Sequence, residues 1–119
     1  MATGISGDTG VDQLQAAALT PFFGGANQSL TANGYQKFPN GLIIQWGQVT
    51  TTGGALTFNL PLAFPTVFAE LFTTIEVPND TPFGFSAGTR VSNSQARIVS
   101  RNSGGTLTAY TVNWFAIGY

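Results

Sequence analysis

This 119-residue chain contains neither cysteine nor histidine. Without cysteine there are no disulfides, thiolate metal sites or thiol nucleophiles, and the redox compartment stays undetermined. Without histidine the commonest general base and the commonest transition-metal ligand are gone. No metal and no cofactor is expected. Charge is scarce as well, at 8% of residues against about 25% in an ordinary soluble domain. The net charge is −1, which gives no electrostatic footprint for nucleic acid or an anionic membrane. Long apolar runs are missing too. None approaches the roughly 20 residues that span a bilayer, and the N-terminus lacks the basic and apolar segments of a secretory signal.

What is present is apolar and neutral. Hydrophobic residues make up 43% of the chain, with ten phenylalanines, so Thr, Ser, Asn, Gln and Gly must supply the polar surface. A monomer of this composition has little charge to keep it soluble. An obligate oligomer, whose interface resembles a core cut in half, hides such surface. The composition therefore points to subunits that associate.

The chain divides near residue 33. Residues 1–32 form an arm: a Gly-rich start, then a short helix expected over about 11–19 and capped by Asp8 or Thr9. Its apolar stripe is thin, so Val11 and Leu14, with Phe22 and Phe23 after it, are expected to pack between subunits. Pro21 and Gly24–Gly25 end the helix. Residues 33–119 form the globular domain, entered through Asn33-Gly-Tyr-Gln-Lys-Phe-Pro-Asn-Gly-Leu-Ile-Ile-Gln-Trp-Gly-Gln-Val49. Here a Pro39-Asn40-Gly41 turn launches a β-branched and aromatic run.

Short alternating segments follow, with turn signals every 8–12 residues, as in an all-β antiparallel sandwich of about six strands. Over 42–48 the alternation puts Leu42, Ile44 and Trp46 on the apolar face, with Gln45 and Gly47 opposite. Residues 55–60 are expected to pair back on this strand as a hairpin, with Leu56, Phe58 and Leu60 inward. Residues 66–77 read as the longest strand. Val67, Ala69, Leu71, Ile75 and Val77 take one side, and Phe68 and Phe72 the other, among Glu70, Thr74 and Glu76. Two phenylalanines on such a face mark a subunit contact. Strands over 83–91, 96–100 and 107–119 complete the domain.

Catalysis finds no support. A Ser-His-Asp triad is impossible, and no P-loop, dinucleotide fingerprint or EF-hand pattern occurs. Of the five acids, Asp8 and Asp12 lie in the arm, and only Glu76 and Asp80 flank one loop as a glycosidase pair would have to. The chain is read as a non-enzyme. Binding chemistry remains, since neutral sugars are held by an aromatic face and by Asn, Asp, Thr or Arg hydrogen bonds. If successive strands run antiparallel, the loops at 49–54, 77–83 and 102–106 share the end opposite the arm's entry. Thr51, Asn79, Asp80, Thr81, Phe83, Arg101, Asn102 and Ser103 are the candidate sugar-binding residues there.

The run Asn33–Gly47, the middle element around Phe58, Ala63-Phe64-Pro65 and Val67, and the close Asn113-Trp-Phe-Ala-Ile-Gly-Tyr119 resemble a family of phage tail-fibre C-terminal domains. The family includes the side tail fibres of Mu-like phages and prophages. The later pattern is also similar to H-type lectin sandwiches, which trimerise and bind sugars. The resemblance implies an intertwined homotrimer at the distal end of a virion tail fibre, and the subunit contact read from alternation at Phe68 and Phe72 would then lie in the trimer interface. It further implies attachment to bacterial surface glycans such as lipopolysaccharide, and in some members a dedicated assembly chaperone. The shared Tyr35, Gln45, Trp46, Trp114 and Gly118 are expected to be structural. Histidine-ligated iron, found in some such tips, does not carry over to a chain without histidine. Two alternatives stay open: a structural module that trimerises and ends the fibre, and a free-standing lectin.

Overall fold

The computed structural model describes residues 19–76 and 84–119. The expected helix over 11–19 therefore lies outside the described residues but for Leu19; residues 19–23 are helical, and a 3-10 turn follows at Gly25–Asn27. The described strands are β1 (Gln28–Ser29), β2 (Gly34–Lys37), β3 (Ile43–Thr50), β4 (Ala55–Asn59), β5 (Phe68–Glu76), β6 (Gly84–Ser92), β7 (Gln95–Asn102) and β8 (Thr111–Gly118). They form two antiparallel sheets, β1-β2-β3-β8-β5 and β4-β7-β6. The six long strands sit where alternation and turn residues put them.

β2 and β3 are a hairpin around Gly41, and side chains of β2 and β3 hold the segment before them. Tyr35 Oη donates to Ala26 O at 3.1 Å, Gln36 Nε2 to Phe23 O at 2.9 Å, and Trp46 Nε1 to Thr31 O at 2.9 Å. Phe23 meets Phe38 edge-on, with centroids 6.1 Å apart. Residues 23–31 are thus held against the β2–β3 hairpin, and β1 among them is a strand of the larger sheet.

Three expectations about faces and pairing are corrected. The first concerns β3: Ile43 and Gln45 face the interior, at 2% and 0% exposure, while Ile44 and Trp46 face outward. Apolar counting chose the wrong face because both faces of this sheet carry apolar side chains. Gln45 is tolerated inside because its amide pairs with the backbone of a single residue, donating to Leu62 O at 2.7 Å and accepting from Leu62 N–H at 2.9 Å. This satisfies both of its polar atoms, as burial demands.

The second correction concerns β4, which does not pair back on β3. It belongs to the other sheet, aligned with β7 from Ala55↔Val99 to Asn59↔Gln95. The chain crosses between sheets at 51–54, where Thr51 N–H donates to Tyr110 O and Gly54 O accepts from Ser100 N–H. Gly54 has φ +90°, and a Cβ there would lie 2.7 Å from Thr108 N, so no other residue fits.

The third concerns β5, whose register shifts between Phe68 and Glu70 opposite β8, leaving Ala69 without a cross-strand partner. A bulge of this kind changes the phase of the alternation. Phe68 is therefore a core residue, 5% exposed and packed on Phe64 with ring centroids 5.1 Å apart; it does not lie on the outer face with Phe72. The Arg90 guanidinium reaches across from β6 and donates to the carbonyls of Phe68 and Ala69.

The core between the sheets joins Ile43, Leu60, Phe64, Phe68, Ile98, Val112 and Trp114, with Leu71 and Ile75 packed against it. Each large side chain so buried contributes about 1.5–3 kcal/mol. Strand directions follow the hairpin count. Turns at 51–54 and 103–110 lie together at one end, joined by Thr51 N–H to Tyr110 O at 3.0 Å. The segments 60–67 and 93–94 meet at the other, with Leu60 N–H on Ser94 O and Thr66 N–H on Tyr119 O. Phe23, Phe38 and Tyr119 lie toward that second end.

Candidate functional site

The end remote from the arm is built on a relay of hydroxyls. Tyr110 N–H donates to Thr51 Oγ1 at 3.0 Å, Thr51 Oγ1 lies 2.6 Å from Ser100 Oγ, and Ser100 Oγ donates to Thr108 O at 2.6 Å. Because the single Ser100 hydroxyl proton goes to Thr108, Thr51 is the donor between the two hydroxyls. Thr51 is 1% exposed and Ser100 is fully buried. The relay ties the crossover at 51–54 to β7 and to the approach to β8.

These contacts sort the candidate sugar-binding residues. Thr51 is interior, its hydroxyl already engaged, so it presents nothing to solvent. Asn102 Oδ1 accepts from Gly104 N–H and Thr106 N–H, both at 3.0 Å, and so shapes its own turn. Arg101 is half-buried and donates to Gly105 O at 2.8 Å, with Phe85 directly across from it on β6. Ser103 is exposed. Asn79, Asp80, Thr81 and Phe83 lie outside the described residues, between Glu76 and Gly84. Leu107 and Phe85, exposed at 47% and 53%, are surface apolar residues of this region that alternation did not single out.

A second surface is the outer face of the larger sheet. Register aligns Trp46, Phe115 and Phe72 across β3, β8 and β5. Phe72 and Phe115 are 59% and 38% exposed with ring centroids 6.3 Å apart. Beside them a polar row closes on itself, as Gln48 Nε2 donates to Glu76 Oε2 at 2.6 Å and to Asn113 Oδ1 at 3.1 Å. Of the residues predicted for subunit contacts, Phe72 and Phe22 are exposed and Phe23 is half-buried on Phe38. Phe68 is in the core, and Val11 and Leu14 lie outside the described residues. Phe115 was missed, although the rule that finds it is simple. Adjacent strand residues face opposite ways, so Trp114 inside puts Phe115 outside.

Among the described residues no group of three or more acidic side chains could hold a metal ion, and no helix is long and apolar enough to cross a membrane. Fold and surface together define an all-β sandwich module whose exposed chemistry is aromatic, hydroxyl and amide. The chain belongs to the family described as putative tail fiber protein gp53-like, C-terminal, whose model matches residues 37–119.

Solved structures agree. An N-truncated R1-type pyocin tail fiber superimposes with a TM-score of 0.64 at 28% identity, over 96% of this chain and 99% of that one. An N-truncated R2-type pyocin tail fiber does so with a TM-score of 0.66 at 22% identity, over 96% of this chain and 43% of that one. Related R1 and R2 fiber structures are from P. aeruginosa. An uncharacterized protein of Methanocaldococcus jannaschii is 35% identical over 98 residues, 73% of this chain and 63% of that protein. The chain thus spans less than two thirds of that relative's length.

Proposed function

We propose that this chain is the trimeric distal end of a phage tail fibre, with residues 1–32 as its trimerising stem, and that it attaches the particle to bacterial surface glycans, lipopolysaccharide among them. The role is binding without catalysis, and a fibre-assembly chaperone is a further partner of this reading. Membership in a tail-fibre family supplies the context. The observation that carries the reading is polarity: side chains of the β2–β3 hairpin hold the arm toward one end, and the turns at 51–54 and 103–110 crowd the opposite end. A shaft continuing from the arm leaves those turns foremost. Three weak sites on one rigid tip gain about 10²–10⁴ in avidity, so each site need hold its sugar only loosely.

One observation favours a purely structural fibre-ending module. Thr51, Ser100 and Asn102 use their side chains internally, which leaves fewer groups at the tip for a ligand. A glycan array and a cell-binding assay on the trimeric chain separate the two readings. Adhesion expects specific binding that Asp80→Ala or Ser103→Ala weakens without dissociating the trimer. Retained trimerisation with no binding to any glycan or cell selects the structural module.

A further inference from the structure

The described charges are sorted between the two outer faces of the sandwich. Glu70 and Glu76 are exposed on β5, aligned with Ile117 and Thr111 of β8 on the same face as Phe72. The smaller sheet turns Arg97 and Arg101 outward, because Ala96, Ile98 and Ser100 are the buried alternate residues of β7. No acidic side chain among the described residues shares that face.

Register gives the face its relief. Cross-strand partners point the same way, so Arg101 stands in a row between Phe85 on β6 and Leu107. Arg97 stands in a row between Thr89 and Thr57. Between these rows lie only Ala87, Val99 and Ala55. The middle row is small and apolar. The two cations flank it about 13 Å apart along the strand, four residues at about 3.3 Å each.

Both guanidinium groups are open to a ligand. Arg97 is exposed, and no hydrogen bond or ion pair engages it among the described residues. Arg101 is half-buried and donates from Nη1 to Gly105 O at 2.8 Å. That bond steadies the group and leaves its Nε–H and Nη2 edge, a fork that holds a carboxylate through two parallel hydrogen bonds. Phe85, 53% exposed, sets a ring beside Arg101 that suits the C–H face of a sugar.

Cations this far apart each meet their own anion. A carboxylate matches one guanidinium in charge and shape, whereas a phosphate monoester brings about two negative charges to one arginine. Nucleic acid asks for a broader basic surface than two arginines on a chain of net charge −1. A second copy of this chain fits poorly as well. The outer faces of a sandwich point in opposite directions, so laying these arginines on a neighbour's Glu70 and Glu76 builds an open stack, not a closed trimer.

We propose that the outer face of the smaller sheet binds an acidic glycan, with uronate-type carboxylates on Arg97 and Arg101 and the sugar between them over Ala55, Ala87 and Val99. The proposal rests on the surface-glycan reading; it makes the ligand anionic and moves the contact from the tip turns to the flank. Short oligomers of galacturonate, mannuronate and hyaluronan are titrated into the full chain by calorimetry at low salt. At least one is expected to bind, more weakly as salt rises, while its methyl ester, the same sugars without charge, does not. Arg97→Gln changes a side chain that the fold does not use. It is expected to weaken binding about fivefold or more, with assembly state and thermal midpoint unchanged, and Arg101→Gln is expected to weaken it likewise. A methyl ester that binds as well as the acid overturns the proposal, as does an Arg97→Gln chain that binds as well as the parent. Inorganic phosphate or a DNA oligonucleotide that displaces the oligomer at lower concentration than free galacturonate overturns the carboxylate. An Arg97→Gln chain whose assembly state changes assigns the face to a subunit contact and overturns the site. A chain that binds cells or neutral glycans but none of the three acids removes this site and leaves adhesion standing. One that binds neither cells nor glycans removes both.

Discussion

Gln45 concentrates the residue-scale chemistry of this domain. Its amide stands in for one step of a β-ladder, meeting the backbone N–H and C=O of Leu62 in the interior where no strand does. Gln45→Leu fills similar space but leaves both Leu62 groups without partners. Each unmade buried bond costs about 1–3 kcal/mol. With Leu62 itself half-buried, the variant is expected to lose about 2–3 kcal/mol in chemical denaturation, with an unchanged slope. Gln45→Glu tests the direction of the bonds. A carboxylate still accepts from Leu62 N–H but faces Leu62 O with no proton to give, and burial holds the folded carboxyl above its ordinary value of about 4.3. Between the unfolded and folded values the native state binds more protons than the unfolded one, so stability falls as pH rises through that window. The variant should be nearest the parent below about pH 4, where the protonated acid donates to Leu62 O, and weakest at neutral pH. A Gln45→Glu minus parent stability difference that is flat with pH would show that the amide's donor is not what matters.

At the scale of elements, the crossover at 51–54 and the bulge at 68–70 are where strand reasoning and the structure part. Strand existence and order were legible because β-branched and aromatic runs alternate with Gly, Pro and Asn turns, and because successive long strands do run antiparallel. What strand 4 pairs with was not legible: Thr50-Thr51-Thr52-Gly53-Gly54 suits a hairpin or a sheet change equally, and the difference rests on Thr51 finding Ser100 and Tyr110 about fifty residues later. The Phe68 error has the same origin, since a bulge leaves no mark in a run of alternating residues. The candidate tip fared likewise. Its position followed from counting hairpins, but the engagement of Thr51 and Asn102 within the fold depends on contacts that spacing does not encode. Thr51→Val keeps shape and removes the hydroxyl that serves Tyr110 N–H and Ser100. It is expected to cost about 2 kcal/mol, read as a lower thermal midpoint, with glycan or cell binding intact wherever the protein remains folded. Arg90→Ala exposes the bulge carbonyls. Its side chain is largely in solvent, so the expected loss is about 1 kcal/mol, and hydrogen exchange should quicken at residues 67–70 and 118–119 while β3 is unaffected.

For the whole molecule the deciding quantity is how three copies would cover what one copy leaves bare. The outer face of the larger sheet presents Phe72 and Phe115 side by side, and the chain carries too little charge to offset such a patch in a lone protomer. Burying an aromatic of this exposure contributes about 1–2 kcal/mol, and in the proposed trimer threefold symmetry would repeat each contribution around the axis. In the proposed trimer, Phe72→Glu places three like charges where three rings should pack. The expected result in light scattering is a shift from trimer to monomer, with the far-UV spectrum of the sandwich retained because Phe72 belongs to no part of the core. Phe68→Glu is the contrasting variant, expected to unfold the protomer. Since an assembly that binds only native chains raises their apparent stability with concentration, the parent's thermal midpoint should climb over a hundredfold concentration range and that of Phe72→Glu should not. A parent monomeric at every concentration would remove the trimer. A parent trimer that survives Phe72→Glu would instead move its interface off the outer sheet and onto the arm, where Phe22 stands exposed.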